Sequence, residues 1–179
     1  MIKIGLIKAL GFSLLAFIGL NFLFIIIAKT LSGDLNSLFS AISSNPLIII
    51  VVLFEPLIII LSPVPGILTL EPHMPGTVIT LIYDQISLGS YDAILIQSIG
   101  FIVSPFVAAL VAGRTGEGKG GSFGGWMIAA LIGAAALSVL AFIQLVDPLM
   151  IIILFMLGGV VNGVFYGCFA LLFAKSEMY

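Results

Sequence analysis

The chain has 179 residues, 61% of them hydrophobic and only 8% charged, whereas a soluble domain carries about 25% charged residues; a soluble globular protein is excluded. Six Lys and Arg against eight Asp and Glu give a formal net charge of −2, so no basic face is available for phosphates, which argues against nucleic acid as a partner. One cysteine, Cys168, and one histidine, His73, cannot build an intrachain disulfide or a metal cluster, and no cofactor is expected.

The first apolar run, 9–28, follows Lys3 and Lys8. Cleavage as a signal peptide would place Ile26 where a small residue is wanted, so the run reads as a retained first transmembrane helix, with Asn21 as its one strongly polar member. From Thr30 to Asn45 the composition turns polar, yet Leu35, Leu38, Phe39 and Ile42 recur at helical spacing. This predicts a short interfacial helix capped by Asp34 and ended by Pro46.

Residues 47–62 are very apolar but broken at their centre by Glu55 and Pro56, with Pro63 and Pro65 close behind. Proline removes a backbone donor and clashes one turn back. The segment is therefore either a kinked span or a re-entrant hairpin, the latter tolerated at membrane depth only where protein or water covers it. Charge placement discriminates, because Lys and Arg in short loops concentrate on the cytoplasmic side. With four spans, Lys3, Lys8, Arg114, Lys119 and Lys175 fall inside, while Asp34, Glu71, Asp84, Asp92 and Asp147 fall outside and only Lys29 is exceptional. Five spans would put Arg114 and Lys119 outside. Four complete spans with both termini cytoplasmic are preferred, and residues 30–92 then form a large non-cytoplasmic cap containing the re-entrant segment. Within that cap, Val78, Ile79, Ile82 and Ile86 suggest a second interfacial helix.

Three further uncharged stretches complete the bundle at 93–113, 123–145 and 149–174. The glycine-rich stretch 114–121 reads as a flexible inside linker. It lacks the spacing and the Ser or Thr of a phosphate-binding loop. Asp147 and Pro148 predict a tight outside turn.

Small residues recur at every fourth position: Gly159, Gly163 and Gly167 on the last helix, Gly125, Ala129 and Gly133 on its neighbour. Such faces let backbones approach closely, which drives helix association where lipid removes the hydrophobic effect. They serve either packing within the chain or docking of a second protomer. A candidate ion or proton site is formed by Glu55, Pro56, Asn162 and Ser104, since an intramembrane carboxylate beside a broken helix can offer carbonyls as co-ligands. No Ser/His/Asp set, HExxH or paired helix histidines are present, so catalysis has no visible residues.

The expected fold is an all-α polytopic membrane protein, a helical bundle of four complete transmembrane helices plus a broken or re-entrant Glu-Pro segment, with five spans as the alternative. The leading expectation is a small non-catalytic subunit in the cell membrane, a multi-pass protein that assembles through its glycine faces with other membrane subunits or as a homo-oligomer, its remaining surface meeting the lipid bilayer. The alternative is a small ion or solute transporter or channel using Glu55.

Overall fold

The computed structural model describes residues 4–57, 59–64, 67–72, 75–89, 91–145 and 148–174, with side chains described except at Glu55, 59–64, 67–72 and 75–77. The protein is a helical membrane bundle. Four helices are long and apolar enough to cross a bilayer: α1 (Ile4–Leu31), α5 (Ala93–Thr115), α6 (Gly118–Gln144) and α7 (Leu149–Leu172). At 1.5 Å per residue even the shortest reaches about 35 Å, enough for a hydrocarbon core of about 30 Å.

The register of the bundle follows from where backbones nearly touch. A Cβ added at Gly5, near the start of α1, would collide with Glu117, just past the end of α5. One added at Gly100, in the first third of α5, would lie 2.5 Å from the Phe24 Cβ. Helices α1 and α5 are therefore antiparallel. Gly125 on α6 meets Ala9 and Leu10 on α1, so α6 runs parallel to α1. Gly113 on α5 faces the Ala170 carbonyl and Phe173 at the end of α7. One end of the bundle consequently gathers the start of α1, the α5–α6 connection and the end of α7. A long contact of 3.9 Å between Lys8 and Glu117, both more than half exposed, lies at that end.

Residues 114–121 are less of a linker than their composition predicts. Helix α5 continues through Thr115 and α6 begins at Gly118, because the Ser122 hydroxyl ties the two together by donating to the Gly118 carbonyl at 3.0 Å or the Gly113 carbonyl at 3.3 Å. Glycines 121, 124 and 125 lie against α1 near Gly5, Leu6 and Ala9.

The other end carries the intervening segments. Helix α2 (Leu35–Ser44) follows Asp34, which occupies the cap position without a side-chain hydrogen bond. Only Leu38 of its predicted stripe is buried, against Ile25 and Val52. Asp92, by contrast, accepts from the Ile94 and Leu95 N–H groups and caps α5. Helix α4 (Pro75–Ser87) buries Val78 but leaves Ile79 and Ile86 exposed. His73 and the Asp147 side of the predicted turn lie outside the described residues; Pro148 stands at the cap of α7.

Among the described residues the Glu-Pro segment forms no helix of membrane-spanning length. Helix α3 (Ile48–Phe54) has only seven residues, about 10 Å of rise, and a 3-10 turn at Glu55–Leu57 ends it. The chain then continues in two short antiparallel strands, β1 (Ile59–Val64) and β2 (Ile67–Pro72), paired from Ile59 with Pro72 to Val64 with Ile67. The second half of 47–62 is thus extended and not the return limb of a helical hairpin. Prolines 56 and 63, which cannot continue a helix ladder, account for the change.

Candidate functional site

The buried residues of α1 fall every fourth position at Gly5, Ala9, Ser13, Phe17, Asn21 and Ile25. Asn21 sits in this stripe with no solvent exposure. Its side-chain amide donates to the Val52 carbonyl at 2.8 Å and the Leu53 carbonyl at 2.9 Å. These are the acceptors that a break at Pro56 leaves without helical donors: proline has no N–H for Val52, and the tighter 3-10 turn diverts the next donor from Leu53. Asn21 therefore acts as a side-chain cap on the C-terminal end of α3, supplied by a helix 31 residues upstream.

That end lies at mid-depth. Phe54 stacks on Phe17 with ring centroids 6.2 Å apart, and a Cβ at Gly133 would lie 2.6 Å from Leu57 and 2.7 Å from Phe54. Phe17 and Gly133 are central in α1 and α6. Pro56 and Leu57 are buried among the helices. The absence of a side chain at Gly133 makes room for the inserted turn. Toward the end of the bundle that carries Lys8, an aromatic layer closes the interior: Trp126 meets Phe17 at 6.0 Å and Tyr166 at 6.3 Å, both edge-on.

Among the described residues two buried polar atoms have no hydrogen-bond partner, Asn21 Oδ1 and Ser104 Oγ. With its nitrogen committed to two carbonyls, the orientation of the Asn21 amide is fixed, and Oδ1 is the side-chain atom left without a donor. Other serines within the spans bond back to their own helices: Ser13 to the Leu10 carbonyl, Ser98 to Ile94 and Ser138 to Ala134. Ser104, fully buried beside Pro105 in α5, does not. The two contacts that pair α1 with α5, Gly5 with Glu117 and Phe24 with Gly100, set Ser104 within about two residues of the level of Asn21, or about 3 Å along the axis.

The residues picked from sequence are distributed as follows. Glu55 and Pro56 form the mid-depth break by their backbones, while the Glu55 carboxyl lies outside the described residues. Ser104 shares that level. Asn162 is buried, its side-chain amide donating to the Gly158 carbonyl at 3.0 Å on its own helix, and its backbone carbonyl receives the Trp126 indole at a long 3.5 Å. The glycine faces meet within the chain: Gly159 abuts Ala134, Gly163 lies against Met127 and Ala130, and Gly167 against the Phe123 ring. Gly125 and Gly133 are filled by α1 and by the inserted turn, and Ala129 is buried beside them. Asn21 was legible only as a lone polar residue in a span; its place in the period-four stripe is the signal that would have promoted it. Among the described residues no group of His, Cys, Asp and Glu could hold a metal. Comparison with protein-family models, characterised proteins and solved structures yields no match.

Proposed function

We propose that this chain is a small multi-pass membrane protein that conducts or transports a small cation, with the inserted α3 and its 3-10 turn lining the route. The observation that carries this reading is the mid-depth helix end at Glu55–Pro56, held by Asn21 and accompanied by the bare oxygens of Asn21 and Ser104. A broken segment ending inside a bundle brings the negative end of a short helix into its interior, and the sequence sets the ionisable Glu55 at that break, a combination that favours cations. The glycine faces, which could have docked a partner, are taken up by neighbouring helices of the same chain. That weakens the case for assembly through them. The aromatic layer of Phe17, Trp126 and Tyr166 would form the floor of the route in the closed state.

Flux into proteoliposomes of the purified protein tests the reading. Wild type should pass an alkali cation or protons, and Glu55→Gln should abolish this while leaving the fold intact. Sealed wild-type vesicles that pass neither would overturn it. The orientation belongs to the same proposal: Lys8, Arg114 and Lys119 share the end at which α1 begins and α7 ends, which the positive-inside rule assigns to the cytoplasm of a cell membrane.

A second reading, a non-catalytic subunit of a larger membrane complex or a homo-oligomer, draws support from α4. Its Ile79, Tyr83 and Ile86 are exposed although the helix is outside the four spans. A native mass larger than one chain, lost on Ile79→Glu or Ile86→Glu, would favour it.

A further inference from the structure

We propose that Asn21 Oδ1 and Ser104 Oγ are direct ligands of a partly dehydrated monovalent alkali cation bound at the level of the α3 break. This rests on the transport reading and specifies its binding site. Both oxygens belong to side chains with no solvent exposure, and neither has a protein partner. An unpaired buried oxygen is costly, so two of them at one level of the bundle interior indicate a ligand that both can accept.

The chemistry narrows that ligand. Asn21 has committed both amide hydrogens to the Val52 and Leu53 carbonyls, so toward the site it offers only a lone-pair oxygen. A serine hydroxyl turns its lone pairs to a cation as readily as its proton to an anion, but beside the Asn21 carbonyl oxygen an anion is repelled. Neutral amide and hydroxyl oxygens are hard ligands suited to alkali ions. They are too weakly basic to hold a proton near neutral pH, so a proton carrier would have to rely on Glu55 alone. Asn21 consequently has two roles on one side chain. Its nitrogen fixes the end of α3, and the same commitment aims its oxygen at the ion, so ion occupancy and the position of the inserted segment are coupled.

Ser104→Ala is the clean probe, because it removes one ligand oxygen without touching the cap on α3 and leaves a small helix-compatible side chain. Thermal unfolding of the purified protein in detergent is followed in NaCl, KCl, LiCl and choline chloride at constant ionic strength. Wild type should be stabilised by one alkali ion over choline in a saturable manner. Ser104→Ala should melt at or above the wild-type temperature in choline, yet need about tenfold or more of the ion for half-maximal stabilisation, as expected for loss of one contact to a charge. Ser104→Thr, which keeps the hydroxyl, should retain ion dependence. Identical melting in all four salts, or unchanged ion affinity in Ser104→Ala, overturns the site. Flux separates it from the broader reading. Cation flux whose concentration dependence is unaltered by Ser104→Ala refutes this site but leaves transport standing, whereas Ser104-dependent ion stabilisation without flux keeps the site and refutes transport.

Discussion

Replacing Asn21 by Leu preserves much of its volume while removing both donors to the end of α3. Two carbonyls inside the bundle, Val52 and Leu53, would then lose the side-chain donor that Asn21 supplies. Interhelical hydrogen bonds in membrane proteins average about 0.6 kcal/mol, and a buried acceptor left without a donor costs about 1 to 3 kcal/mol. For two acceptors the expected loss is about 2 to 6 kcal/mol, less the relief from deleting the unpartnered Oδ1. Ser13→Ala is the matched control, since Ser13 lies two turns away in the same buried stripe but bonds only to Leu10 of its own helix; it should change stability by less than about 0.5 kcal/mol. Reversible unfolding by SDS in mixed micelles measures both, and hydrogen exchange at Phe54 and Leu57 should accelerate in Asn21→Leu before the four spans open. Asn21→Asp should fail as well, because an aspartic side chain offers at most one hydrogen, and that only when protonated, to two carbonyls. Stability of Asn21→Leu within 0.5 kcal/mol of wild type, or unchanged exchange at the break, would refute the capping role.

Substitutions at the glycines should sort by what the new methyl meets. Gly113→Ala faces the Ala170 carbonyl at 2.7 Å, a backbone atom, whereas Gly163→Ala faces the Met127 sulfur at 2.5 Å, the movable end of a side chain. The former should cost about 1 to 3 kcal/mol and the latter clearly less; equal losses in SDS titration would contradict the packing described. Gly19→Ala, with open space around its Cβ, should be neutral or gain up to about 1 kcal/mol of helix propensity. Gly159→Leu should destabilise the isolated monomer, since its face abuts Ala134 of the same chain, and a stable monomer that merely loses a partner on native gels would show the face to be external. In a Cys168→Ser background, Gly120→Cys should react with impermeant reagent only from the cytoplasmic side and Ser87→Cys only from the other. Labelling of both from one side would exclude four spans.

The four spans were legible because only 14 charged residues punctuate the chain, and the runs between them are long enough to cross. Which face of each span turns inward was harder to read. A helix apolar on every side carries no amphipathic signal, so inward faces show instead as small or polar residues at every fourth position, as in Gly5, Ala9, Ser13, Phe17 and Asn21. The same spacing at Gly159, Gly163 and Gly167 identifies a close approach but is silent on whether the approaching helix is α6 or another molecule's; only the fold assigns it to α6.

Glu55 and Pro56 stood out for the same kind of reason: proline cannot extend the helix, so the break is local and readable. The extended strands beyond it were hidden, because an apolar run of isoleucines and leucines fits a buried helix and a strand equally well. Equally hidden was the destination of the released carbonyls. Backbone acceptors within a bilayer must find donors, and the donor is a single asparagine on another helix. Asn21 looks gratuitous in α1 alone, and Pro56 looks disruptive in the inserted segment alone. Together they account for each other, because the proline creates the two acceptors that justify burying the amide. What the pair does not account for is the second atom of that amide. Its oxygen, and the Ser104 hydroxyl at about the same level, are the part of the arrangement that packing and capping leave unexplained.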